Sequence, residues 1–253
     1  MNPVKVRTTV IGEGMPKICV PIVGTTKEAI LEEARAITKL PADVVEWRVD
    51  WFDGVFEFDQ VADVLADLRT VLGEMPILMT FRTSKEGGEK AIGDEAYADL
   101  NIRAAKTGLV DLIDVEVFTG DEIVKRIIEG AHEAGVKVVA SNHDFGKTPE
   151  KDDIVGRLRK MQDLGADIPK IAVMPNSKKD VLTLLAATEE MAGEYADRPI
   201  ITMSMAGTGV ISRLAGEVFG SALTFGAAAK ASAPGQMGVE DLKDVLTKLH
   251  NAL

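Results

Sequence analysis

The stretch ADIPKIAVMPNSKKDVLTLLAATEEMAGE, residues 166–194, holds one complete unit of the fold. Its first ten residues read as a short buried strand, with Ile168, Ile171, Val173 and Met174 apolar and Pro169 and Pro175 marking the ends. From about 177 to 194 the apolar period becomes helical. One ammonium group, Lys170, stands in the middle of the strand. Charging a lysine among apolar side chains is unfavourable, so burial is expected to favour the neutral amine. Such an amine can form a Schiff base with a ketone. The plainer reading has Lys170 at a strand end with its head snorkelling to water.

The same alternation extends in both directions. Strand-like runs occur at 17–23, 43–49, 76–82, 110–117, 136–142, 199–205 and about 219–225. They lead into helical patterns near 25–39, 58–72, 94–107, 120–134, 150–164, 209–216 and 239–250, with Thr25 or Thr26 placed to cap the first. Short strands alternating with longer helices give an α/β fold with a parallel sheet. Eight such units in 253 residues fit a single (β/α)8 TIM barrel better than an open doubly wound sheet. No GxGxxG follows the first strand, which weakens the dinucleotide-binding alternative. Residues 4–10 alternate and end at Gly12-Glu13-Gly14, which predicts an N-terminal β-hairpin arm within residues 1–16. The chain, 1–253, is expected to be one barrel domain.

Composition narrows the function classes. A formal net charge of −11 without a basic stripe argues against nucleic acid or an anionic membrane as partner. An anionic small molecule stays possible, because a few arginines in a cleft reverse the local field. Cys19 is the only cysteine, so no intramolecular disulfide or thiolate cluster can form, and Ile18-Cys19-Val20 reads as buried strand. No apolar run approaches the roughly 18 residues of a membrane span, and the N-terminus lacks the core of a signal peptide. A cytoplasmic protein is the simplest expectation.

In a barrel the active site lies at the carboxyl ends of the strands. Glu46 and Arg48 are two apart and share one face, while Val45, Trp47 and Val49 share the other. The apolar face should meet the helices, which turns the carboxylate and the guanidinium inward. The third strand ends in Arg82 with Glu86 in the loop beyond; the fourth ends at Glu116 and the fifth at His143. The sixth carries Lys170, the seventh Met203 and Met205, and the eighth ends at Phe225. Taken singly, each charge has a bland explanation as a solvated loop residue or a structural ion pair. Together they converge on one mouth.

Roles follow from the groups. Lys170 supplies the nucleophile, and His143, near an ordinary histidine pKa of about 6.5, takes and returns a proton. Glu86 could fix its tautomer. Arg48, Arg82 and Arg213 would form an anion pocket. His132 and His250 fall on predicted helices and are expected at the surface. Asn142-His143-Asp144 lacks the further histidines a metal site would need, so no metal is expected. Gly207-Thr208-Gly209 is a weak phosphate-cradle signal. The run Lys85–Lys90 reads as a flexible turn or a glycine-hinged lid.

The segments EWRVD (46–50), FR (81–82), EGGE (86–89), SNHDF (141–145), ADIPKIAVMP (166–175), ITMSM (201–205), GVISRLAGEVFGS (209–221) and SAPGQ (232–236) resemble the type I 3-dehydroquinate dehydratase family. The resemblance runs in register from about residue 12 to the end. It implies a (β/α)8 barrel, usually a homodimer, that removes water from 3-dehydroquinate to give 3-dehydroshikimate in the shikimate pathway, without cofactors. By position, the Schiff-base lysine falls on Lys170, the general acid/base on His143 and its paired carboxylate on Glu86. Arg213 matches the grip on the substrate carboxylate, and Ser232 and Gln236 match lid contacts. Glu46, Arg48 and Arg82 match residues around the substrate hydroxyls. Pro21 departs from the pattern, where some members carry serine. A class I aldolase acting on a sugar phosphate and a catalytically silent carboxylate-binding barrel stay open as alternatives.

Overall fold

The computed structural model describes residues 2–228 and 235–253. Strands β1 (Val4–Val6) and β2 (Thr9–Ile11) pair antiparallel and form the expected hairpin. The chain reverses at Arg7 and Thr8, before the Gly12-Glu13-Gly14 signal, and Arg7 takes φ 51°, uncommon for a residue with a side chain. Ion pairs to Glu74 and Asp111 hold it there. The arm does not stand apart from the barrel. Val4, Val6 and Ile11 are buried with Cys19, Leu78, Leu112, Val139, Ile168, Ile201 and Leu223, so the hairpin stoppers the N-terminal end.

The barrel strands are β3 (Lys17–Ile22), β4 (Val44–Arg48), β5 (Ile77–Thr80), β6 (Leu112–Glu116), β7 (Lys137–Asp144), β8 (Ile168–Val173), β9 (Ile201–Ser204) and β10 (Leu223–Ala227). Each pairs in parallel with the next as far as β9, and β10 pairs with β3. Among the described residues, β9 and β10 are joined by one bridge, Ile200 with Ser221. Above that seam a two-residue strand, β11 (Met237–Gly238), takes the open edge of β10.

Helices α1 (Lys27–Ile37), α2 (Phe58–Leu72), α3 (Asp94–Lys106), α4 (Asp121–Glu133), α5 (Lys151–Asp163), α6 (Lys178–Glu190) and α9 (Val239–His250) lie close to their expected spans. Thr26, not Thr25, caps α1 by accepting from the Ala29 N–H. The segment after β9 departs from expectation. The expected helix forms as α7 (Val210–Leu214), but a second short helix, α8 (Gly216–Phe219), follows it, so β10 begins at Leu223 rather than near 219. Gly220 makes the stop: its φ is +100°, and a Cβ there would lie 2.3 Å from the Ala192 Cβ. Pro169 lies inside β8 rather than at its end.

Strands covered on both faces read as near-continuous apolar runs. Their outward residues, including Val20, Val45, Trp47, Ile113, Val138 and Ile171, pack with the helices in one large cluster. Truncating fully buried Trp47 to alanine should cost about 3–5 kcal/mol of stability. The inward residues change character with height. Those low in the barrel are apolar and meet the hairpin; those near the carboxyl ends are charged and buried, among them Glu46, Arg48, Asp114, Glu116 and Lys170. No described helix is long and apolar enough to cross a membrane.

Candidate active site

Lys170 lies on β8 with its side chain only 4% exposed, which removes the snorkelling alternative. Its ammonium is not isolated among apolar groups, as the strand alone suggested. Nζ is 3.2 Å from Asp114 Oδ2 and 3.9 Å from Glu46 Oε1, and lies 4.7 Å from the centre of the Phe225 ring. Two carboxylates and an aromatic face therefore share its charge.

Asp114 is fully buried on β6. Its Oδ1 accepts from Arg82 Nη2 at 2.8 Å and from Ser141 Oγ at 2.6 Å, which leaves Oδ2 turned to Lys170. Burial acts to raise this carboxyl, but Arg82 and Lys170, with the Ser141 hydrogen bond, outweigh it and hold it below the usual range. Arg82 also donates from Nη1 to Glu116 Oε1 at 2.9 Å, and Thr83 donates to the same carboxylate from both its N–H and its hydroxyl. Burial works against the Arg82 charge, yet Asp114, Glu116 and Glu86 raise its pKa overall. Arg82 thus ties the third and fourth strands together while still lining the cavity.

His143, at the top of β7, places Nδ1 3.0 Å from Glu86 Oε2, and its backbone N–H donates to the same oxygen at 2.8 Å. Asn142 Nδ2 donates to Glu86 Oε1 at 3.1 Å. This network assigns the neutral-ring proton to Nδ1 and leaves Nε2 as the basic lone pair. Burial, then the nearby Arg82, Lys170 and Arg48 cations, push the imidazole pKa well below its ordinary value, so the expectation of an unperturbed histidine is corrected. Burial, followed by repulsion from Glu116, raises Glu86 to about 7 despite Arg82 and the hydrogen bonds from Asn142 and His143. A neutral base stands beside a carboxyl poised near neutrality. The pair can take up one proton and give it back.

Arg48 is gripped in a fork by Asp50, with Nε and Nη2 each 2.8 Å from a carboxylate oxygen. Asp50 also accepts the backbone N–H of Arg82 at 3.3 Å and of Glu89 at 3.1 Å, while Lys90 Nζ donates to the carbonyls of Asp50 and Phe52. The run Lys85–Lys90, expected as a flexible turn or a glycine-hinged lid, is therefore anchored to the end of β4. Gly88 allows the close approach, since a Cβ there would fall 1.8 Å from the Arg82 carbonyl oxygen.

Arg213 comes from α7, beside the seam, and is buried with Nη1 3.5 Å from Met203 Sδ. Desolvation lowers its pKa to about 10, which still leaves a cation at neutral pH. A cavity partly open to solvent joins these groups. It is lined by Lys170, His143, Glu86, Glu46, Arg48, Arg82, Arg213, Met203, Met205, Phe225 and Gln236, with Gly87, Phe145 and Ala172. The catalytic and substrate-binding residues expected from sequence border it except Ser232, which lies outside the described residues; Glu116, also expected at the mouth, accepts from Arg82 and Thr83 instead. Cys19 is buried, and burial raises its thiol well above the usual value, as expected for a structural cysteine. His132 and His250 pair with Asp167 and Glu217, partly exposed on the helices.

The model of type I 3-dehydroquinase aligns with residues 18–252, nearly the whole chain. The chain belongs to the type I 3-dehydroquinase family. It is 60% identical over 250 residues to the 3-dehydroquinate dehydratase of Listeria monocytogenes serotype 4b, covering 99% of each chain. Identity to that of Clostridium botulinum is 58%, over 98% of this chain and 97% of the relative. Among solved structures, type I 3-dehydroquinate dehydratase from Clostridium difficile, crystallised with covalently modified comenic acid, superposes with a TM-score of 0.98. The two share 56% identity and cover 100% and 99% of each other. The Geobacillus kaustophilus 3-dehydroquinate dehydratase gives a TM-score of 0.96 at 39% identity, over 99% of this chain and 97% of that one.

Sequence reasoning missed Asp50, Asp114, Ser141 and Asn142 in this 3-dehydroquinase. Asp114 carried a signal. In Leu112-Ile113-Asp114-Val115-Glu116 the acidic residues alternate as Glu46 and Arg48 do, so the rule that turned those inward turns Asp114 inward as well.

Proposed function

We propose that this type I 3-dehydroquinase dehydrates 3-dehydroquinate to 3-dehydroshikimate, its step in the shikimate pathway, through a Schiff base on Lys170. The lysine nitrogen attacks the C3 ketone, and the carbonyl oxygen leaves as water. The resulting iminium draws electrons from the adjacent C2–H bond. His143 Nε2 takes the C2 proton, giving an enamine, while Glu86 at Nδ1 stabilises the imidazolium. The enamine expels the C1 hydroxyl, which leaves as water with the proton from His143. Water then hydrolyses the conjugated imine and releases the product. Arg213 grips the substrate carboxylate as a desolvated cation. Glu46, Arg48 and Arg82 face the ring hydroxyls, while Met203, Met205 and Phe225 pack against the ring; the family resemblance assigns lid contacts to Ser232 and Gln236. No cofactor enters the scheme.

The observation that carries this reading is the Lys170 amine facing the same cavity as the His143–Glu86 pair and Arg213. The aldolase alternative would need a phosphate nest after the last strands; among the described residues the cavity there is lined by Arg213 and Gln236. The test mixes the protein with 3-dehydroquinate and borohydride. It reads enone absorbance in an untreated sample and adduct mass, mapped by peptide, in the treated one. Enone growth with a reduced adduct on Lys170 is the expected result; neither signal would return the chain to the silent binding reading. We infer further that the enzyme works in the cytoplasm as a homodimer acting on a free small molecule, as its family resemblance implies. Light scattering across a dilution series tests the dimer: a monomer mass throughout would remove it.

A further inference from the structure

Asp114 has no part in the scheme above, yet it is the carboxylate closest to the reacting nitrogen, at 3.2 Å. Atom balance makes that position significant. Starting from the ammonium, R–NH3+ and a ketone give R–NH+=C and water. Two of the three ammonium protons leave with the ketone oxygen, one stays on nitrogen, and the unit positive charge stays as well. A carboxylate facing the nitrogen meets a cation before and after the step, and no net charge crosses the site.

We infer that Asp114 is the counter-ion of the iminium, a catalytic residue that accepts its remaining N–H and keeps the imine protonated until C2 is deprotonated. The inference rests on the Schiff-base reading of Lys170. Its physical basis is the cost of a buried, unpaired cation, which in a water-poor barrel would push the imine towards its neutral and less electrophilic form.

Glu46 is the competing carboxylate, and geometry favours Asp114. Glu46 stands 3.9 Å from Nζ, and the oxygen nearest it already accepts from the Thr80 hydroxyl at 2.9 Å. Asp114 has Oδ1 occupied by Ser141 and Arg82, so Oδ2 is held towards the nitrogen by groups on two neighbouring strands. Once nitrogen becomes an enamine its charge disappears, and it returns when the hydroxyl leaves. Asp114 therefore stabilises the two iminium states that flank the proton transfer.

The test is Asp114→Asn, which preserves shape and leaves an oxygen for Ser141 and Arg82. Native and variant proteins are mixed with 3-dehydroquinate and borohydride, and the rate of adduct growth on Lys170 is followed by intact mass. Loss of one charge-assisted hydrogen bond should slow that rate by about tenfold to a hundredfold, and Glu46→Gln should slow it less. An Asp114→Asn rate equal to native, with native protein forming adduct, overturns the counter-ion and leaves the Schiff base standing. Absence of adduct on native protein overturns the Schiff base itself. If Asp114→Asn does not fold, His143→Ala protein holding the substrate imine serves instead. Its C=N vibration should shift between H2O and D2O, as a protonated imine requires, and an unshifted band overturns the inference.

Discussion

At the base of the barrel Asp43, Asp111 and Asp167 each stand just before a strand and accept a backbone N–H from the preceding one, those of Ile18, Ile77 and Val138. At the mouth Asp50, Asp114 and Glu86 face Arg48, Lys170 and His143. The base carboxylates satisfy donors that the fold itself would leave unpaired. Most of the mouth carboxylates hold cations or an imidazole whose chemistry is needed. The base repeats at β4, β6 and β8 like a structural rule, and the mouth does not repeat at all. Similar ion pairs thus serve stability at one end and reactivity at the other.

Lys170→Ala should break this comparison most visibly if it is wrong. The account expects loss of essentially all turnover and of the borohydride adduct. Substantial residual turnover would mean that the covalent route is not obligatory. The opposite pattern is expected at the base. Asp111 joins Arg7 and Arg69 to the start of β5, so Asp111→Ala should cost about 3 kcal/mol in denaturant unfolding. Turnover per folded molecule should stay near native; a large fall in kcat with little stability change would show that the two ends are not separable.

The ends should also differ in pH dependence. Glu86 is raised to about 7 in the folded protein from an ordinary value of 4.5. Its protonated form favours folding, so that stability is present below pH 4.5 and is lost as pH rises through about 7. Glu86→Gln should flatten the alkaline decline. Asp167 is lowered in the folded protein from 3.8: burial opposes this, but the His132, Val138 and Lys137 contacts prevail. Its contribution is present above pH 3.8 and is lost as pH falls through the folded value, and Asp167→Asn should flatten that acid decline. Thermal unfolding of both variants from pH 3 to 9 checks the pair, and slopes of native steepness in either would remove the assignment.

The alternation of period two and period 3.6 was enough to read the barrel, because parallel strands buried on both faces and amphipathic helices leave distinct local patterns. Local pattern also placed Glu46 and Arg48 inward and picked out Lys170, His143, Glu86 and Arg213 by their groups and positions, and family resemblance assigned each a matching role. Partnership was much less legible. That Lys170 meets Asp114 depends on the register of β6, β7 and β8, fixed by pairings such as Ser141 with Lys170. The anchoring of the 84–90 segment depends on Asp50, more than thirty residues earlier in the chain. The hairpin's place under the barrel and the seam between β9 and β10 likewise arise from contacts between distant segments. The short helix α8 escaped because a four-residue helix has too little period to detect.

The most direct measurement on the central claim, that Lys170 makes the covalent bond while His143 moves the proton, uses His143→Ala. Adduct mass on Lys170 and enone absorbance are followed in the same reaction with 3-dehydroquinate. The account predicts that adduct accumulates while enone formation slows by on the order of 10²–10⁴-fold. Enone produced at the native rate would contradict it.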